Sequence, residues 1–550
     1  MLFLTRFTTC RYVLYGRWII HFKRFDSDKL STSFFFLLLG FYIFLFAAYI
    51  GVRFAWHGFD GDAIRLTALS QNVLTEGTLS PRQGGYPYGY LYGSLNVYLA
   101  YLTGLSILVL QTVIQPFLIV LLIPVAFTAY RSVVSRVEIA GLAALFLFLS
   151  PEFLYEATRS SHAKITYLLA LTMLWILAQS FRSDLTPRRL VSWILLFYIV
   201  AYALISSNSF FASSYIFAIA FGFIATHILL ALNWTREGVS PRLRRLSFVT
   251  VSSLLLVFLF IFYLYPPALN QVGTLRSVWD KISAFFLSFE PTRGANPYAY
   301  VQQTWISMWV YLTLTLFNWL MLFLSFAVWL HMAWRLLIRR EKLSAQELLL
   351  WLLYASFAGM LFTSVIIDRT GALSSNLQLR LFPHLMLVSV PLAAAGVMAL
   401  LFWLRRHSRP CIRQAASVAL VMSILFFAFG AMFKVTNEPL LSNWWSFYAD
   451  SERQAFVWMG DRIQFNRVWM GRDARLRMLA DAYEEQWRKQ GVWVGVRDPK
   501  KTRYILISEI SRMRSISVSD ILPDIRPFQR IYDTGDVHLY YSRSKTPYQR

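Results

Sequence analysis

Two carboxylates stand two residues apart in the segment Trp56-His57-Gly58-Phe59-Asp60-Gly61-Asp62, just after the first long apolar run. A carboxylate held at a membrane surface can take a proton from an acceptor hydroxyl or amine. Asp60 and Asp62 could also bind a divalent ion, although two acids alone make a weak metal site. A plainer reading is that Asp62 caps the helical pattern Ile64, Leu66, Leu69, Val73 that follows it. A second cluster runs from Ser150 to Thr166, with the acids Glu152 and Glu156 and the cations Arg159, His162 and Lys164. Ionisable groups at membrane depth are costly. They read either as a phosphate clamp or as snorkelling side chains that pair locally. A third group is Gln378-Leu379-Arg380-Leu381-Phe382-Pro383-His384. Arginine grips phosphate oxygens bidentately, and snorkelling is again the rival. Asp368 and Arg369 nearby read as an ion pair. Between the first two groups lies Tyr86-Pro87-Tyr88-Gly89-Tyr90-Leu91-Tyr92. Pro87 suits the first turn of a helix. Tyr86 and Tyr88 read as an interfacial belt or as the lining of a sugar or acceptor groove. The chain has no P-loop, no Gly-rich dinucleotide fingerprint, no His-Glu-x-x-His and no paired Cys-x-x-Cys.

The elements that carry these groups belong to a membrane protein. Of 550 residues, 57% are hydrophobic and only 15% charged, and mean hydropathy is +0.48. Soluble domains carry about 25% charge, so the composition argues against a soluble enzyme and excludes a disordered chain. Lys and Arg number 53 against 29 Asp and Glu, a net charge of +24. Most of the excess lies in short loops between apolar runs, which is the positive-inside pattern. It points to contact with anionic membrane lipids and not to nucleic acid. Residues 1–32 carry six basic residues and read as a cytoplasmic N-terminus with no cleavable signal peptide. Residues 33–435 hold about eleven spans of the ~20 apolar residues that a bilayer needs. One of the two pieces of the charge-free stretch 88–130 reads as interfacial or re-entrant. Residues 54–87 and 267–303 are the long loops of the far side. Cys10 and Cys411 both fall in cytoplasmic segments, so no structural disulfide is implied.

Residues 436–550 read as a separate extracytoplasmic α/β domain. Asp473 to Gln490 shows a helical stripe, 503–509 reads as a strand, and 528–542 reads as a hairpin turning near Thr534-Gly535. Its aromatic residues suit an ordinary core better than a sugar platform. The fold class is thus mainly α: a polytopic helical bundle with a small C-terminal α/β domain.

The order of these motifs resembles the GT-C class of polytopic glycosyltransferases, and within it the protein-mannosyltransferase and lipid A aminoarabinose-transferase group. The matching features are Asp60 and Asp62 after the first span, Tyr86-Pro87 opening the next, Ser150-Pro151 followed by Ser161-His162-x-Lys164, Arg380-x-Phe-Pro383, and a far-side tail. The resemblance implies a polyprenyl-phosphate-linked sugar as donor, a glycan, lipid or protein as acceptor, and inverting transfer on the outer face. It implies Asp60 or Asp62 as general base. It places Arg380, with Arg159, His162 and Lys164, near the donor phosphate. One departure stands out: Thr166 occupies a place where such proteins often carry an acid, so Glu152 or Glu156 substitutes as the second acid or none is present. Compact loops point to a prokaryotic plasma (inner) membrane. Two rivals are a transporter or flippase of lipid-linked glycans, which calls for charges buried mid-span and an internal repeat, and a non-catalytic scaffold, which would leave the acids and Arg380 replaceable.

Overall fold

The computed structural model describes residues 27–53, 61–79, 88–134, 136–180, 186–231, 252–269, 308–341, 343–369, 377–407, 409–435, 448–463, 467–470, 493–494, 502–509 and 524–542, with short pieces at 276–277, 279–280, 283–284, 287 and 476. Helix α1 (Ser27–Arg53) is followed by α2 (Gly61–Glu76) and α3 (Leu91–Thr103). At 1.5 Å per residue α1 extends about 40 Å, enough for the ~30 Å hydrocarbon core, whereas α3 reaches only about 20 Å. The run 88–107 is therefore not a span. Gly104, at φ +69, ends α3 in the left-handed conformation that glycine adopts without strain. Helix α3 instead packs on α2. Leu66, Leu69 and Val73 of α2 bury themselves with Tyr92, and Val97 and Ile165 pack against this cluster.

The next span, α4 (Ile107–Val133), contains a π turn at Leu110–Ile114. Helices α5 (Val137–Leu149) and α6 (Pro151–Thr158) form one apolar pair bent by 74°. Ser150, extended at ψ 115, breaks the ladder, and Pro151 opens the new first turn, where its missing N–H does no harm. Helices α7 (Ala163–Ser180), α8 (Pro187–Ser207), α9 (Ser209–Ala231), α10 (Ser252–Leu264), α11 (Met308–Leu337), α12 (Ala345–Arg369), α13 (Leu377–His407) and α14 (Pro410–Val435) complete the bundle. Among the described residues, eight helices are long and apolar enough to cross a membrane, and the bent pair makes a ninth if it crosses as one unit. The chain is an integral membrane protein. One large core unites α1, α4 to α9 and α11 to α14, while Leu37, Phe44, Phe221, Phe323 and Phe426 stay exposed on outer faces, as lipid-facing residues do.

The tail holds α15 (Asp450–Arg462), which the periodicity did not predict. Glu452 Oε2 accepts the Ala449 N–H at 3.0 Å and so satisfies a donor at the helix start. Strands β1 (Arg467–Trp469), β2 (Trp493–Val494), β3 (Tyr504–Ser508), β4 (Gln529–Asp533) and β5 (Val537–Tyr541) form one sheet ordered β2-β1-β3-β5-β4. Strand β1 pairs parallel with β2 and β3, and β5 pairs antiparallel with β3 and β4. The β4–β5 turn carries Gly535 at φ +86 beside Thr534, where the hairpin pattern placed it. Val468, Leu506, Val537 and Leu539 face α15, and Ile505, Ile507 and Phe528 face the other way, the alternation of a pleated strand. Apart from Leu476, the helix expected at Asp473 to Gln490 lies outside the described residues, as does loop 54–60.

Short backbone stitches join this end of the bundle. Ser209 N–H donates to Tyr88 O at 2.7 Å, and Tyr90 N–H to Ser206 O at 2.9 Å. Gly89 lies between them, and a Cβ there would collide with the Ser206 carbonyl. Gly89→Ala should therefore cost about 1–3 kcal/mol by overpacking, while Gly359→Ala, which meets nothing within 4 Å, should not. Thermal unfolding of both variants in detergent checks this; equal midpoints would refute the close approach.

Candidate active site

The polar residues of the bundle collect at the end that carries these stitches. The π turn in α4 displaces the backbone, and two carbonyls of that stretch are taken by side chains from the segment that opens α7: Gln111 O accepts from Ser160 Oγ and Gln115 O from Lys164 Nζ. Lys164 is 3% exposed. Its ammonium is thus tied to the backbone of α4 instead of standing open to a ligand. Around it, Tyr92 Oη donates to Gln111 Oε1 at 2.9 Å and Gln115 Nε2 donates to Asn96 Oδ1 at 2.7 Å. This buried amide layer locks α3, α4 and the start of α7 together.

His162 and Arg159 lie beside it. Asn208 Nδ2 donates to His162 Nε2 at 2.7 Å, and Asn208 Oδ1 receives the Phe211 N–H at 3.0 Å, capping α9. Thr166, which replaces the expected acid, shares a hydrogen bond with Ser207 at 3.1 Å. Arg159 Nη1 pairs with Glu156 Oε1 at 3.1 Å, and both charges act on the Tyr167 ring. Glu152 goes another way. Its Oε2 accepts from Asn318 Nδ2, whose Oδ1 accepts from Ser150 Oγ at 3.0 Å, and Lys434 supplies a nearby positive charge. Glu152 therefore braces the α5–α6 bend against α11 and α14, while Glu156 stays with Arg159. Asn96, Gln111, Gln115, Asn208, Asn318 and Lys434 were not singled out in the sequence; the signal was there, as polar residues inside apolar runs.

Arg380 opens α13 one turn from His384, and the His384 ring packs on Tyr167, with centroids 5.9 Å apart, and on Phe211. This places the start of α13 at the same end as His162 and Arg159. Arg380 itself is exposed. The Arg369 side chain lies outside the description, and Asp368 caps the next helix. Its two carboxylate oxygens accept the Leu377 and Gln378 N–H groups, each at 2.9 Å, and Arg380 adds a Coulombic attraction. First-turn N–H groups have no intrahelical partner, so an acid at the end of α12 caps α13 across the connecting segment. Tyr88 is half-buried, with its ring 6.2 Å from that of Phe210. Asp60 and Tyr86 lie outside the described residues; Asp62 falls within α2, but its side chain is likewise outside the description. Among the described residues, no group of three His, Cys, Asp or Glu could hold a metal ion.

A small apolar crevice of about 20 Å³ opens between α1 and α4, lined by Ile43, Phe46, Ile50, Phe117 and Ile119, with Thr158, the neighbour of Arg159, also on its wall.

The capping role of Asp368 yields a direct expectation. Asp368→Ala should lower stability by about 1–2 kcal/mol, the usual cost of losing a cap, and Asp368→Asn, which keeps one acceptor oxygen, should lose less. Thermal unfolding in detergent checks this; an Asp368→Ala protein that melts with the wild type would refute the cap.

No known family profile matches the chain, and no curated protein matches it in sequence. Solved structures do. The Archaeoglobus fulgidus oligosaccharyltransferase tethered to an acceptor peptide containing the NVT sequon superposes with a TM-score of 0.56 at 12% identity, over 96% of this chain and 74% of that one. The same organism's oligosaccharyltransferase AglB, in complex with an inhibitory peptide and a dolichol-phosphate, gives 0.53 at 14% identity over 95% and 75%. ArnT from Cupriavidus metallidurans, bound to undecaprenyl phosphate, gives 0.48 at 11% identity over 92% and 97%. Across nearly its whole length, this chain has the fold of the GT-C class of membrane glycosyltransferases.

Proposed function

We propose that the protein transfers a sugar, with inversion, from a polyprenyl-phosphate-linked donor to a glycan, lipid or protein acceptor on the extracytoplasmic face of a prokaryotic plasma membrane. The observation that carries this reading is the GT-C-like fold with Arg380 and Arg159 at one end of the bundle. The Archaeoglobus fulgidus enzyme binds a dolichol-phosphate and an acceptor peptide, and in this reading Arg380 and Arg159 are this chain's cations for the anionic head of such a lipid.

In this reading Asp60 or Asp62 draws the proton from the acceptor's nucleophile. The nucleophile forms a bond to the anomeric carbon while the bond from that carbon to the phosphate oxygen breaks on the opposite face, which inverts the centre. The electron pair leaves with the polyprenyl phosphate, where negative charge grows. Cations pre-placed at that point stabilise the transition state more than the ground state. Arg380 is the principal candidate because it is exposed. Arg159 is next to the crevice and can reach an anion only by sharing or releasing Glu156. His162 and Lys164 hold the surrounding backbone. The Archaeoglobus fulgidus structure in complex with Zn and sulfate makes a divalent ion at Asp60 and Asp62 part of the proposal. No nucleotide is needed, since the sugar–phosphate bond of the donor stores the driving force.

The topology follows the same reading. Counting α9 and α10 with the bent pair brings the spans to about eleven, so a cytoplasmic N-terminus leaves the tail outside. A transporter or flippase is disfavoured because the buried charges of the described bundle, Lys164 and Asp368, stand at helix ends and not mid-span.

Incubating purified protein with radiolabelled polyprenyl-phosphate sugars and a panel of acceptors tests the proposal. Asp60→Asn or Asp62→Asn should lower transfer by about 10²–10⁴-fold, the range for a general base, and Arg380→Ala should lower it at least tenfold. Full activity in all three variants would exclude this site, and no transfer from any donor by the wild type would exclude the reaction.

A further inference from the structure

Among the described residues, the hydrophobic core of the tail takes in Ala63 from the membrane part. Ala63, in the first turn of α2, is fully buried in the same cluster as Phe456, Met459, Val468, Leu506 and Leu539. The rest of the apolar stripe of α2 goes elsewhere: Leu66, Leu69 and Val73 pack with Tyr92 of α3. Helix α2 is therefore gripped twice, at its first turn by the tail and from its second turn onward by the bundle. The first turn is also the one that contains Asp62 and follows Asp60. A helix is stiff, with a fixed rise of 1.5 Å per residue, so whatever displaces the Ala63 backbone displaces the Asp62 backbone with it.

We propose that the tail domain is a positioning element for the loop acids, and that Ala63 is the residue through which it acts. This rests on the sugar-transfer reading and adds a task for the tail within it. A residue at full burial has room for a methyl group and nothing larger, since protein interiors are close-packed. The tail core thus sets how far the first turn of α2 stands from the bundle, and with it the reach of the general base toward the acceptor. Catalytic groups tolerate little error: a misplacement of about 1 Å costs on the order of 100-fold in rate.

The test compares wild type with Ala63→Leu, Ala63→Gly and Met459→Ala, each purified to a single monodisperse peak so that only folded protein is assayed. Ala63→Leu should lower kcat by about 100-fold, keep the KM for the polyprenyl-phosphate donor within about twofold, and shift the acid limb of the kcat/KM profile against pH, because the surroundings of the base have changed. Ala63→Gly, which inserts nothing, should restore most of kcat. Met459→Ala alters the tail core from within and should move kcat in the same direction with donor KM unchanged. An Ala63→Leu protein with wild-type kcat and pH profile overturns the proposal. So does a loss that merely tracks the folded fraction while the acid limb stays put. A wild type that transfers no sugar from any donor sinks the transferase reading and this proposal together; an active wild type with an indifferent Ala63→Leu sinks this proposal alone.

Discussion

A backbone carbonyl without a donor is costly inside a bilayer, because no water can reach it. The bundle interrupts or starts its helices in several places, and three of these points are answered by side chains. The π turn of α4 is matched by Ser160 and Lys164 on the carbonyls of Gln111 and Gln115. The α5–α6 bend at Ser150 is matched by Asn318, which holds both Ser150 and Glu152. The start of α13 is matched by Asp368 from the end of α12. These repairs all fall at one end of the molecule, and they make that end rigid and polar while the outer faces of the bundle stay apolar.

Rigidity of this kind changes what the ionisable residues can do. Of the cations that stood out by type, Lys164 is committed to the backbone of α4, His162 to Asn208, and Arg159 to Glu156. Arg380 remains exposed beside a capped helix start. Under the proposed function, an exposed arginine on a fixed platform suits repeated binding and release of a phosphate, since pre-organised charge needs no rearrangement during reaction.

The tail enters the same arrangement from outside the bilayer. Its sheet buries one face against α15 and takes in Ala63 from the loop helix. The loop helix in turn rests on α3, a helix too short to span. Tail, loop helix and bundle thus form a chain of contacts that ends at the first turn of α2, next to the acids.

Composition and pattern were enough for the broad outline. Long apolar runs must be helices, because only a helix satisfies every backbone group within a single segment of chain, and alternating residues beside Thr534-Gly535 must be a hairpin. Charge in the short loops predicts the sides, and the order of the motifs around Asp60, Asp62 and Arg380 resembles that of the GT-C class. The sequence had no means of showing that Lys164 would serve a carbonyl 49 residues away, that Asp368 would cap α13, or that Glu152 and Glu156, on one helix, would take different partners. It could not show that Ala63 belongs to the tail. Local pattern reports what each segment prefers on its own; partners distant in sequence are decided only when the helices pack, because a hydrogen bond or a buried contact depends on where two segments meet and not on the order in which they are written.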